Sequence, residues 1–174
     1  MLGVLVAPAA LALAGCGYAL SGRGSFLPSY IKIVGVPPIE NRSTFLDVEN
    51  LLTERVRNEL IGRGRYKVVP DAIGDAVLSA IVSGISVYPV GFTDQNLASR
   101  YVFALSMEVE FKSLRTGDVL WSNSSMTFRG EYELNTRGQA VVEGATFVAQ
   151  ERAAFDRIAT DVARTVVNAV LEAF

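Results

Sequence analysis

From Tyr101 to Lys112 the chain alternates without a break. Tyr101, Phe103, Leu105, Met107, Val109 and Phe111 occupy one set of positions, and Val102, Ala104, Ser106, Glu108, Glu110 and Lys112 the other. A period of two places the sets on opposite faces of a β-strand. The second set turns polar toward Lys112, so that face is solvated there. Arg115-Thr116-Gly117-Asp118 reads as a tight turn, and Val119 to Tyr132 as the returning strand of a long hairpin. The return changes phase: Val119 and Trp121 share one parity, while Met126, Phe128 and Tyr132 share the other. A bulge near Asn123 to Ser125 restores the face. Ala76 to Tyr88 is a further long strand, with Ile81, Ile85 and Val87 expected on one face and residues 89–100 expected as a loop. Two short β-rich runs come earlier: Ile31 to Val36, stopped by Pro37-Pro38, and Tyr66 to Val69 before Pro70.

Elsewhere the period lengthens. Phe45, Val48, Leu51, Leu52, Val56 and Leu60 recur at helical spacing, with Glu49, Glu54, Arg57 and Asn58 off the stripe. Ser43 or Thr44 is the expected cap, Asp47 falls in the first turn, and Gly62 and Gly64 end the helix. A second stripe, Val148, Phe155, Ile158, Ala159, Val162, Val166, Val170 and Phe174, predicts a helix from about Glu143 to the last residue. Its Asp156, Arg157, Asp161 and Arg164 argue against a membrane span. The order strand, helix, short strand, three longer strands, helix predicts an α+β two-layer sandwich. Its sheet would be mostly antiparallel or mixed, with four or five strands and two helices on one face.

The opening residues fit neither period. Leu2 to Ala14 is apolar and uncharged. It is short of the ~20 residues that span a bilayer, but fits the h-region of a signal peptide. Leu13-Ala14-Gly15-Cys16 follows, and this resembles the lipobox of bacterial lipoproteins. The resemblance implies that the sulfur of Cys16 carries diacylglycerol, that the chain is cut before it, and that the new amino terminus is acylated. Several acyl chains anchor firmly, because each buried CH₂ contributes ~0.8 kcal/mol. No Lys or Arg precedes the run, as one does in most signal peptides; a start upstream of Met1 would account for that. Gly17, rather than Asp, after the cysteine favours sorting to the outer membrane in such lipoproteins. The division expected is signal peptide 1–15, lipidated tether 16–30 and domain 31–174.

Composition narrows the chemistry. The 174 residues include no histidine and one cysteine, with a formal net charge of -2. A histidine-based triad, an internal disulfide and a zinc site of the usual ligands are excluded, and no basic excess points to nucleic acid. Glu108 and Glu110 share a strand face and form a nominal carboxylate pair, but a solvated face is the better reading. No catalytic residue, metal or cofactor is expected. Arg100, Arg115, Arg129 and Arg137 fall near strand ends or loops and read mostly as surface charges, with phosphate binding the minority reading.

The mature chain resembles the LptE family of lipopolysaccharide-assembly lipoproteins. The matching features are Cys16-Gly17-Tyr18-x-Leu20 with Gly22, then Leu27-Pro28, the strand 31–36, the helix 45–62, the paired strands 101–132 and a terminal helix with Phe155-Asp156-Arg157. The family implies a sandwich that plugs the LptD β-barrel, and basic residues near strand-end loops that bind lipopolysaccharide. In this chain loop 89–100 carries Arg100, and residues 133–143 carry Arg137. The candidate contacts to partner or lipopolysaccharide are therefore Asp94, Gln95, Asn96, Arg100 and Arg137, with Cys16 as the lipidation site. An envelope lipoprotein that activates a peptidoglycan synthase, or serves secretion, is the alternative from another class.

Overall fold

Eight elements follow one another in the computed structural model, which describes residues 27–133 and 144–174. They are β1 (Ile33–Gly35), β2 (Glu40–Asn41), α1 (Val48–Gly62), β3 (Lys67–Val69), β4 (Ala76–Phe92), β5 (Ala98–Ser113), β6 (Val119–Glu133) and α2 (Gly144–Glu172). The sheet order is β3-β1-β4-β5-β6, and β2 adds to β4 beyond β1. β1 runs parallel to both β3 and β4, and the passage through α1 is the long crossover that the parallel β1–β3 pair needs. β4, β5 and β6 form an antiparallel meander. This is the expected α+β sandwich, with six strands rather than four or five. The extra strand, β2, is two residues long and too short to leave a period in the sequence.

One face of the sheet carries the core. Phe103, Leu105, Met107, Val109 and Phe111 of β5 are all buried against Leu52, Val56 and Leu60 of α1 and Val162, Val166 and Val170 of α2. α2 packs close against β6 at Gly130, where a methyl group would stand 2.8 Å from Ile158. Phe155 meets Phe103 edge-on at 4.9 Å, and an ion pair between Arg55 and Asp156 ties the helices together. Phe174, expected on the stripe, is 46% exposed beyond the helix end. Ala154, Ala163, Val167 and Leu171 widen the buried face instead.

Register shifts set the faces. Met107 pairs with Met126 but Val109 with Asn123, so the bulge in β6 lies where the phase change predicts it. A second shift, at Leu120, separates the faces of Val119 and Trp121. In β4 the expectation fails. A shift between Val82 and Gly84 puts Val82 opposite Met107 and Ile85 opposite Leu105, on the helix side. Ile81 lies opposite Glu108, on the other face. Ile81 therefore does not share a face with Ile85 and Val87, because the bulge between them reverses the parity.

The entry to α1 also differs. The cap residue is Asp47, with φ 64° and no side-chain capping bond, and the helix starts at Val48 rather than Phe45. The amide of Asn41 organises this corner: it donates to the Phe45 carbonyl at 2.6 Å and to Glu49 Oε2 at 2.8 Å, and its oxygen accepts from the Ser43 hydroxyl at 2.7 Å. Ser43 is thus used ahead of the helix and does not cap it. Inside the helix Thr53 is buried; its hydroxyl accepts from the Ile39 N–H at 2.9 Å and donates to the Glu49 carbonyl at 2.6 Å.

Packing begins ahead of Ile31. Leu27 is buried and its N–H donates to the Tyr66 hydroxyl at 3.1 Å. The Asp75 carboxylate accepts from the Lys32 and Ile33 N–H groups at 2.9 Å each and pairs with Arg115 at 3.4 Å. The Arg115 guanidinium lies 5.2 Å from the centre of the Tyr30 ring. The two backbone bonds, first that of Lys32 and then that of Ile33, hold the Asp75 carboxyl below the usual carboxylate range, and Arg115 adds to them.

Candidate functional site

The far end of the β4–β5 hairpin holds most of the candidate contacts. β4 does not stop at Tyr88: it runs on through Pro89 to Phe92, so only 93–97 of the expected loop 89–100 is a turn. Pro89 is tolerated because β4 beyond Val82 has no strand on its other side among the described residues. The turn closes with the Thr93 N–H on the Leu97 carbonyl and the Asn96 N–H on the Thr93 carbonyl, both at 2.8 Å. Asn96 takes φ 59°, the left-handed conformation that a three-residue hairpin loop needs and Asn tolerates. Asp94, Gln95 and Asn96 are exposed together at the tip.

Arg100 is in β5, not in a loop. It lies opposite Gly91, and a methyl group there would sit 2.9 Å from its Cβ and 3.0 Å from its Nε. The missing side chain at Gly91 makes room for the Arg100 side chain on the open face. On its other flank, Arg100 pairs with Glu133 at 3.9 Å, with both side chains half-exposed or more. An ion pair of this kind contributes little to stability and leaves the guanidinium accessible. Arg137 and Cys16 lie outside the described residues.

Three apolar side chains at this tip were not among the sequence candidates. Tyr88 is 44%, Val90 43% and Phe92 58% exposed. Phe92 pairs with Ala98, and register shifts fall on both sides of Gly91, with Val90 the extra residue of the first and Ser99 of the second. The signal was present as P-V-G-F, an apolar pattern continuing past the proline.

Nearer the middle of the sheet, Glu108 and Glu110 stand on the open face with Glu40, Ser79 and Ile81 around a shallow groove. Arg42 reaches Glu40 at 2.8 Å; that hydrogen bond, with the charges of Glu40 and Glu108, raises the guanidinium's affinity for its proton. The two carboxylates lie open to solvent, in keeping with a solvated face. Among the described residues no three His, Cys, Asp or Glu side chains converge as a metal site, and no helix is long and apolar enough to cross a membrane.

The model of a family described as LptE, lipopolysaccharide-assembly, matches residues 31–170. No curated protein matches the sequence. Among solved structures, protein XCC0632 from Xanthomonas campestris is similar with a TM-score of 0.53 and 15% identity, over 85% of this chain and 90% of that one. A minor lipoprotein from Acinetobacter baumannii is similar with a TM-score of 0.50 and 14% identity, over 83% of this chain and 93% of its own. At these identities the likeness is one of fold.

Proposed function

The chain belongs to the LptE lipopolysaccharide-assembly family, and from that premise we propose that it is a non-enzymatic outer-membrane lipoprotein that plugs and assists an LptD-type β-barrel. The family match over residues 31–170 carries this reading. In it, residues 1–15 are the signal peptide, Cys16 is the acylated first residue of the mature chain, and the tether leads into the packed domain. The hairpin tip is the contact surface: Asp94, Gln95 and Asn96 in the turn and Arg100 beside it face the barrel interior, with Arg137 contributing from the next connection. The inner wall of such a barrel is polar, and the polar residues of the turn suit it. Arg100 is the best placed of these residues to meet a lipopolysaccharide phosphate, because an accessible guanidinium grips phosphate with two parallel bonds.

Site-specific photocrosslinking from positions 92 to 97 in cells tests the plug. Adducts to a β-barrel protein are expected. Adducts only to a peptidoglycan synthase, or none from any position, would overturn it. Mass spectrometry of the membrane-extracted protein tests the anchor: a multiply acylated Cys16 is expected, and an intact Met1 with no added mass refutes it.

A further inference from the structure

β4 is covered unevenly along its length. On the side away from β5, β1 pairs with it at Ala76 and Val77, and β2 at Ile81 and Val82. The Arg42 N–H then donates to the Val82 carbonyl at 2.9 Å, and the chain turns off toward α1. From Ser83 onward no strand lies on that side among the described residues. Two fixed points give the direction of the backbone groups there. Val82 turns its carbonyl outward, away from β5, and the bulge between Val82 and Gly84 inserts one residue. Ile85 therefore resumes the outward phase, and the unbroken register from Ile85 to Pro89 passes it on to Val87 and Pro89. Pro89, with no N–H to offer, agrees: an outward position is the one where none is needed. The N–H and C=O groups of Ile85 and Val87 thus point into an open slot. β2 and Arg42 bound it at one end and Pro89 at the other, which leaves Ser83 to Tyr88, about 20 Å of strand.

Nothing along this slot discourages a further strand. Exposed sheet edges ordinarily carry charged side chains or bulges that do. β6, the other long edge, has Arg129, Glu131 and Glu133 as well as its bulge near Asn123 to Ser125. β4 has no charged residue among its 17. Ile85 and Val87 face the helices yet stay only half-buried, while Ser86 and Tyr88 are exposed on the open face. We propose that this edge receives an extended segment of a partner protein, which adds as a strand beside Ile85 and Val87. The unpaired main-chain groups select the occupant's conformation, and the alternating side chains select its sequence. Apolar residues would lie beside Ile85 and Val87 on the helix side, and polar ones beside Ser86 and Tyr88. So short a ladder buries far less than the ~1,600 Å² of a standard interface, so it does not by itself hold two copies of this chain together. It is instead continuous with a larger contact, because β4 runs from the slot through Pro89 toward the turn 93–97. The inference rests on the reading that this turn meets a partner: the protein held there is the one placed to supply the strand.

Amide hydrogen exchange tests this on the full chain in detergent, alone and in its complex with the protein that crosslinks to positions 92 to 97. The amides of Ile85 and Val87 should exchange as open backbone in the isolated chain and about tenfold or more slower in the complex. Those of Ser86 and Tyr88, which point to β5, are the reference that should change little. Val87→Pro removes an outward donor and spares the bonds to β5, so it should weaken the complex about fivefold, the loss of one hydrogen bond. Val87→Ile, which keeps the donor, should not weaken it. Protection of Ile85 and Val87 already in the isolated chain overturns the proposal: a segment of the same chain fills the slot if the protection is independent of concentration, and a second copy if it rises with concentration. Equally fast exchange in the complex overturns it too, but leaves the plug reading standing, since the crosslinks from the turn are a separate observation. No crosslinks from the turn removes both.

Discussion

Thr53 gives a direct measure of what joins the helical layer to the start of the sheet. Its hydroxyl accepts from the Ile39 N–H, and both residues are buried, Thr53 at 4% and Ile39 at 5% exposure. Thr53→Ser keeps the hydroxyl and removes one methyl, a loss of about 1 kcal/mol. Thr53→Val keeps the volume but leaves the Ile39 N–H without its acceptor, at about 1–3 kcal/mol. Thr53→Ala does both, for about 3 kcal/mol. In a domain of this size each kcal/mol lowers Tm by about 2–4 °C. The order of stability should therefore be wild type, Ser, Val, Ala, read from urea unfolding followed by far-UV circular dichroism. A Val variant as stable as the Ser variant would refute the reasoning, because the hydrogen bond would then contribute less than a methyl group.

Gly35→Ala should destabilise by about 3 kcal/mol or more: a methyl there would lie 2.5 Å from the Ile73 carbonyl oxygen and closer still to that of Asp71, both backbone atoms with nowhere to go. Thermal unfolding reads this loss. Asn96→Gly should leave stability unchanged or raise it slightly, whereas Asn96→Val should cost about 1–2 kcal/mol, because only the first accepts the left-handed conformation without strain. Asp75 has a lowered pKa in the fold, so its carboxylate stabilises the protein above its unfolded value of about 3.9 and that contribution is lost as pH falls through the folded value. The stability gap between wild type and Asp75→Asn should accordingly be widest near neutral pH and close in acid. A gap that is constant with pH would assign the effect to shape rather than charge.

The sequence makes β5 legible because its twelve-residue alternation has a single phase, and the bulge at Asn123 to Ser125 legible because the phase visibly changes there. The same kind of bulge in β4 went unseen: small residues, Ser83, Gly84 and Ser86, surround it, and Ile81 has the right chemistry for either face. Pro89 obscures the end of β4, since proline ordinarily stops a strand and only the lack of a neighbour beyond Val82 among the described residues lets it stay. That misplaced boundary put Arg100 in a loop and concealed the exposed Tyr88, Val90 and Phe92. The entry to α1 is not legible in the sequence because Ser43 and Thr44 are good caps in isolation, whereas Asn41 takes the Ser43 hydroxyl into a turn ahead of the helix.

β1 is three residues long, yet the chain arriving from the amino-terminal side feeds straight into it, and parallel neighbours hold it on both sides. A mechanical pull on the residues before Leu27, resisted by a partner at the hairpin turn, acts along the strand axis. Hydrogen bonds lying across that axis are then strained together in shear rather than parted one after another. The Asp75 carboxylate on the Lys32 and Ile33 N–H groups and the Arg115–Tyr30 contact lie ahead of the strand and take up the force first. A domain strung between an anchor and a partner would thus meet tension at β1 with bonds loaded in shear.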